Sequence, residues 1–249
     1  MALRALSAFD LTARVGYNQG EEMMSNETTG RAADAIEVRD RLLETYGEPE
    51  WRAHLEPVPE LVNTILSQNT NDKNRDVAFQ RLCERFATWE AVRDADVDEV
   101  IEAIRPAGLA NQKGPRIQAA LRRITEERGE LALDFLADWP LDRAREWLVE
   151  IDGVGPKTAA IVLLFSLGRP AFPVDTHVHR VSRRLGLISS NTSREKAHGD
   201  LEELVPEKDY YAFHLNLIRH GRQVCTSRKP KCEVCVLRDI CSYYHQNRA

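Results

Sequence analysis

The chain has 249 residues, is 43% hydrophobic and carries a formal charge of -5. No apolar run reaches the roughly 18 residues that a transmembrane helix needs, and no apolar secretory core follows Met1, so neither a membrane-spanning protein nor a secreted disulfide scaffold is expected. The negative charge is an average over two unlike parts: residues 141–249 hold 17 Lys+Arg against 13 Asp+Glu, and the remainder holds 17 against 26. A basic half can dock on phosphates while an acidic half faces away.

Residues 1–31 have mixed polarity and no sustained periodicity, and a loose N-terminal extension is expected there. Arg4 and Arg14 against the single acid Asp10 weakly resemble a transit peptide. A disordered extension, or a start at Met23 or Met24, is the plainer reading. From about Ala32 the pattern is helical. Ile36, Val38, Leu42, Leu43 and Tyr46 follow a 3.6-residue spacing that stops at Gly47 and Pro49. Apolar stripes recur at Leu61, Val62, Ile65 and Leu66, at Phe79, Leu82 and Phe86, and at Val97, Val100, Ile101 and Ile104. After a break at Gly114-Pro115, Ile117, Ala120, Leu121 and Ile124 predict another helix, and Leu133 to Pro140 a connector. Trp147, Leu148 and Ile151 precede a glycine turn, and helix resumes over Thr158 to Leu167. The only sheet-like stretch, Ala171 to Val174, is short. The expected fold is all-α, with ordinary helices and short connections.

The run from Leu148 to Ala160 places Gly153 and Gly155 in a hairpin between two helices. Glycines there let backbone N–H groups approach a phosphate, and Pro156 suits the first position of the second helix. The positive end of that helix points at the same anion, which positions nucleic acid without reading its sequence. Lys157 lies in the first turn. The helix dipole and partial burial both favour its free amine, which can attack an electrophilic carbon and form a Schiff base. Taken alone, Lys157 is better explained as a solvated or phosphate-contacting lysine. Downstream, Asp175 stands where an N-cap belongs, and its carboxylate is also a candidate for stabilising positive charge near the hairpin. His177 and His179 are structural residues, base contacts or metal ligands.

Four cysteines crowd together as Cys225, Cys232, Cys235 and Cys241, whereas Cys83 stands alone in a helical pattern as a small hydrophobe. The cluster spacing admits a tetrahedral zinc or a cubane iron–sulfur cluster, and only one pair has the spacing of a zinc knuckle. The basic turn Thr226-Ser227-Arg228-Lys229-Pro230-Lys231 within it suits a phosphate.

Three separated motifs coincide: Gly153-Val154-Gly155-Pro156-Lys157-Thr158, Val174-Asp175-Thr176-His177, and the four cysteines. Together with Ile65-Leu66-Ser67-Gln68-Asn69-Thr70-Asn71-Asp72 and Ala107-Gly108-Leu109-Ala110-Asn111-Gln112-Lys113, they resemble the endonuclease III family of DNA glycosylases, in the helix-hairpin-helix/Gly-Pro-Asp superfamily. The resemblance spans residues 34–245.

It implies two helical domains with a cleft between them: a six-helix barrel over 58–168, and an iron–sulfur domain built from 32–57 and 169–249. It implies a [4Fe–4S] cluster on Cys225, Cys232, Cys235 and Cys241. It implies a bifunctional glycosylase/lyase that removes oxidised pyrimidines from damaged double-stranded DNA, with Lys157 as nucleophile and Asp175 as its carboxylate. Gly153, Gly155, Thr158, Arg228 and Lys229 would contact DNA. Leu109 matches the family's apolar wedge, and the polar gap-filler falls at Gln68 or Asn69, where this chain departs from the family's small residue and glutamine. Asp72 and His177 would line the lesion pocket. A monomer is expected, acting in the cytoplasm on nucleoid DNA, with no membrane contact. Two relatives and one other class compete. Adenine glycosylases share the cysteines but lack the lysine, thymine-mismatch glycosylases carry tyrosine in its place, and a binding module would use hairpin and cluster without chemistry.

Overall fold

The computed structural model describes residues 19–247. Among them no strand occurs, and the helices are α1 (Gln19–Tyr46), α2 (Pro57–Ser67), α3 (Asp72–Arg85), α4 (Trp89–Asp94), α5 (Val97–Ile104), α6 (Ala110–Arg128), α7 (Leu141–Val149), α8 (Pro156–Ile161), α9 (Thr176–Leu185), α10 (Arg194–Glu202), α11 (Tyr210–Gln223) and α12 (Ser242–Gln246). No helix among the described residues is long and apolar enough to cross a membrane. The all-α expectation holds.

Local chemistry starts several helices where the polar residues predict. Asn71 caps α3 by accepting from the Asn74 N–H at 2.9 Å, Asp96 caps α5, and Ser193 caps α10. Two expectations need correction. First, α1 runs back to Gln19, so the stretch 19–31 is helical rather than a loose tail, while residues 1–18 and the transit-peptide reading lie outside the described residues. Second, Gly114-Pro115 does not interrupt α6, which is continuous from Ala110 to Arg128. Pro115 lies near the helix start, so it removes only one backbone bond, and Gly114 before it has no Cβ to clash with the proline ring.

The apolar side chains form two clusters. One gathers α2 to α8, centred on Leu61, Ile65, Leu82, Ile104, Ile117, Leu121 and Leu148. The other joins Ala35, Val38 and Leu42 of α1 to Phe172, Val178, Phe213, Leu217 and Leu237. The chain passes from one to the other within a π-helical turn, Val162–Ser166, that continues α8: Leu163 belongs to the first cluster and Leu164 to the second. Polar bridges hold the two together. Trp51 Nε1 donates to Leu164 O at 2.8 Å, Arg145 of α7 pairs with Glu202 of α10, and Arg222 of α11 pairs with Asp72 of α3 at 2.8 Å.

The stretch Ala171 to Val174 is extended and buried but pairs with no strand. Side chains satisfy its backbone instead. Phe172 N–H donates to Glu202 Oε1 at 2.7 Å, while Phe172 O and Pro173 O sit 2.8 Å from the Nδ1 atoms of His198 and His214. Buried backbone groups demand such partners.

Helix α6 packs against α5 at Gly114, where an added Cβ would lie 2.8 Å from Ile101 Cγ1. Gly114→Ala therefore overpacks this contact despite its better helix propensity. It is expected to cost about 1–3 kcal/mol, seen as a drop in Tm in a thermal melt; an unchanged or raised Tm would refute the close approach.

Candidate active site

The hairpin closes with Gly153 at φ 80°, a left-handed conformation, and a Cβ there would lie 2.9 Å from Arg116 Cδ. Val154 N–H donates to Ile151 O at 2.9 Å, and Gly155 is the N-cap of α8 with Pro156 at its first position. The N–H groups of the first turn of α8 thus lack helical partners and present a positive edge. Thr158 is only 4% exposed, so its side chain faces the core and is not free to meet a phosphate; only its backbone N–H keeps that option.

Lys157, in this first turn, is half-buried. Its ammonium pKa is lowered. Burial is the main cause, opposed by the charge of Asp175, aided by Arg75, opposed by Asp72 and aided by Arg194. The structure therefore brings together Lys157, Asp175 and Asp72, which stand far apart in sequence.

Asp175 is an N-cap in fact: Oδ1 accepts from His177 N at 2.8 Å and Val178 N at 2.7 Å. That cap commits one oxygen and fixes the carboxylate's direction. Behind it lies His214, fully enclosed, with burial pushing its pKa down to about 4. A neutral imidazole thus backs the Lys157–Asp175 pair without adding charge. Nothing in the local sequence around His214 marks it; its role follows from its reach to Pro173 O.

Asp72 is engaged on both sides, by Arg222 at 2.8 Å and Arg75 at 3.3 Å. His177 is part-buried, its Nδ1 3.2 Å from Arg180 Nη2, which makes Nδ1 the acceptor. His179 is spoken for: its Nε2 lies 2.8 Å from Thr192 O. Gln68 does not face outward. Its Nε2 donates to Gly153 O at 2.9 Å and ties the 68–71 loop to the hairpin. Asn69 and Leu109 are exposed, each at the tip of a loop.

The four clustered cysteines line one partly open pocket together with His220, Pro230, Tyr243 and Tyr244. No three His, Cys, Asp or Glu side chains among the described residues are placed to hold a single metal ion. The thiols instead face a shared space, the arrangement a multi-iron cluster needs and a lone zinc does not. Arg184 Nη1 donates to Cys225 Sγ at 3.3 Å, and His220 Nε2 lies 3.5 Å from Cys235 Sγ, so the sulfurs have the polar neighbours that tune thiolate ligands. Burial pushes the Cys235 thiol up to about 11, a protonation that bound iron would reverse. Arg228 and Lys229 stand exposed on the loop between the first two cysteines, which is closed by Lys231 N–H to Val224 O and Thr226 Oγ1–H to Lys229 O.

Helix α9 joins the two sites. Asp175 caps its start, and Arg180 and Arg184, one turn apart, reach the cysteine loop. Arg180 Nε donates to Cys225 O at 3.1 Å and Nη2 to Gly221 O at 2.8 Å, and Arg184 donates to the carbonyls of Thr226 and Ser227.

Comparison with known proteins matches residues 62–207 to the helix-hairpin-helix/Gly-Pro-Asp superfamily of base excision DNA repair proteins, and residues 225–241 to the iron–sulfur binding domain of endonuclease III. The chain is 38% identical over 189 residues to the endonuclease III of Sulfolobus acidocaldarius, covering 75% of this chain and 82% of that protein. It is 33% identical to the endonuclease III of Thermotoga maritima, covering 80% and 88%. Its fold superposes with a TM-score of 0.76, at 26% identity, on an endonuclease III trapped as a covalent intermediate with DNA, covering 88% of this chain and 99% of that one.

Cys232→Ser removes one thiol from the set lining the pocket. The purified variant is expected to lose the brown iron–sulfur absorbance and to melt well below the unaltered protein, because metal binding there is folding energy. A colourless variant of unchanged Tm would refute a structural role for the cluster.

Proposed function

Because the chain belongs to the endonuclease III family of base-excision DNA glycosylase/AP lyases, we propose that Lys157 is its nucleophile, Asp175 the carboxylate beside it, and oxidised pyrimidines in duplex DNA its substrates. The observation that carries this reading is the half-buried Lys157, its pKa lowered chiefly by burial, next to a carboxylate whose direction is set by a helix cap.

The damaged nucleotide leaves the stack at a cost of a few kcal/mol. Asn69 and Leu109 fill the space it vacates, while Gln68 holds their neighbourhood to the hairpin. Phosphates bind the N–H groups around Gly153, Gly155 and the start of α8, with Arg228 and Lys229 on a second segment of backbone. The unprotonated Nζ of Lys157 attacks C1′. The glycosidic bond breaks, and its electron pair leaves on the base, which takes up a proton. Asp175 stabilises the positive charge that builds on the sugar and accepts the proton released by the attacking amine. The sugar ring opens to a Schiff base between Nζ and C1′. Loss of a C2′ proton then expels the phosphate oxygen from C3′ as its electron pair departs, nicking the strand 3′ to the lesion. Water hydrolyses the Schiff base and frees Lys157. Asp72 and His177 line the side of the pocket where the flipped base would sit.

Cys225, Cys232, Cys235 and Cys241 would hold the [4Fe–4S] cluster. When bound, it supplies four iron–thiolate bonds that cross-link the loop bearing Arg228 and Lys229. The two apolar clusters support a division into a barrel over 58–168 and a cluster domain made of 32–57 and 169–249. The protein's expected working form is a monomer acting on nucleoid DNA in the cytoplasm.

Lys157→Gln is expected to cut base release by at least on the order of a thousandfold and to abolish borohydride trapping on an abasic duplex. DNA affinity should stay within about tenfold, because the phosphate contacts remain. Unimpaired turnover would refute the nucleophile, and an unaltered protein that binds DNA but is never trapped would make it a binding module. The rate of trapping should rise with pH as Lys157 loses its proton, with a midpoint below the 10.5 of an ordinary lysine. Asp175 favours the charged amine, so Asp175→Asn should move that midpoint to lower pH while slowing the step itself. A midpoint that stays put would mean the two groups are not coupled.

A further inference from the structure

Among the described residues, only two other than glycine have a left-handed backbone: Asn69 at φ 52° and Leu109 at φ 50°. They are also the two side chains proposed above to enter the duplex. Such a conformation is unfavourable for an L residue with a bulky side chain and persists only where the surroundings over-determine it. Both loops are tied to one side chain that the chemistry at Lys157 does not use.

That side chain is Lys113. It is 1% exposed, and it is among the largest fully enclosed side chains of the protein. Its Nζ donates to Leu66 O at 2.7 Å and to Ala107 O at 2.9 Å. Leu66 lies in the last turn of α2, just before the loop that carries Asn69. Ala107 ends the 3-10 turn Arg105–Ala107, just before Gly108 and Leu109. Lys113 itself stands one turn into α6, where its own N–H donates to Leu109 O at 2.9 Å.

Both acceptors are carbonyls at helix ends, which have no helical N–H to receive and which favour a cation. An ammonium has donors enough for both; a methionine would fill the same space and leave the two oxygens bare. Burial pushes the Lys113 pKa down to about 8, with no charged partner contributing, so the ion is held by carbonyl dipoles alone. A buried cation without a counter-ion is a costly way to fill a core, and its return here is geometric: it sets two loops from different parts of the chain at a fixed separation.

We infer that Lys113 is a positioning residue that clamps the Asn69 and Leu109 loops together, so that both side chains enter the duplex as one unit when the lesion is extruded. The inference rests on the proposed role of those two residues in filling the vacated space.

A double-mutant cycle on the full-length holoenzyme tests it: unaltered protein, Leu109→Ala, Lys113→Met and the double variant. Each is assayed for single-turnover excision from a thymine glycol duplex, and for borohydride trapping on a single-stranded abasic oligonucleotide, which needs no extrusion. Each single variant is expected to slow duplex excision by on the order of tenfold or more, and the double variant to be no slower than the worse single one. For Lys113→Met, trapping on the single strand should stay within about threefold of the unaltered enzyme. Multiplying losses in the double variant, or an equal loss on the single strand, would overturn the clamp while leaving Leu109 as a wedge. A Leu109→Ala enzyme of full duplex activity would instead sink the wedge and the clamp with it. If Lys113→Met does not fold, Lys113→Gln takes its place, since its shorter amide cannot span both carbonyls. Failure of both to fold would make Lys113 a residue of the fold and not of the probe.

Discussion

A lysine amine is useful as a nucleophile only if it can shed its proton near neutral pH, and a carboxylate beside it works against that. The structure balances the two around Lys157. Burial lowers the Lys157 pKa, Asp175 and Asp72 pull it back up, and Arg75 and Arg194 oppose them. Asp175 is restrained by having one oxygen committed to two N–H groups of α9. The cap that a sequence reading would take as a bland alternative is thus part of how the carboxylate is aimed. The chain itself crosses from one apolar cluster to the other between Leu163 and Leu164, in the segment between Lys157 and Asp175.

The segment that carries Asp175 is built to the same end. An extended, buried backbone with no neighbouring strand would be unstable, and Ala171 to Val174 survives because Glu202, His198 and His214 bond its peptide groups. These partners come from α10 and α11, so both helices must be packed before Asp175 has a fixed place. From there α9 runs to the cysteine loop, where Arg180 and Arg184 hold the carbonyls of residues 225–227. The proposed nucleophile site and the cysteine site lie at two ends of one helix.

Much of this was legible beforehand because it depends on local chemistry. Gly153, Gly155 and Pro156 announce a turn and a helix start, Asp175 announces a cap, and four cysteines within a short span announce a metal site. The misreadings have equally physical causes. Gly114-Pro115 looked like a break, but a proline near a helix start costs one hydrogen bond, and the glycine before it removes the clash that usually ends a helix. Residues 19–31 looked loose for want of a periodic apolar face, yet they extend α1. The resemblance put Gln68 and Thr158 at the DNA; in the fold Gln68 is bonded to Gly153 O, and the side chain of Thr158 is buried.

By itself the sequence determined the helical class, the hairpin, the cysteine set and, through their coincidence, the family, because each is written in residue types at short spacing. Tertiary structure alone decided what meets what. It paired Asp72 with Arg222, put neutral His214 behind Asp175, and enclosed Lys113 between the ends of two helices. Apart from the bond of Lys113 to Ala107, six positions away, those contacts join residues tens to more than a hundred positions apart. They arise from packing, which no local pattern encodes, and burial then lowers the pKa of Lys157, which its neighbours in sequence could only hint at.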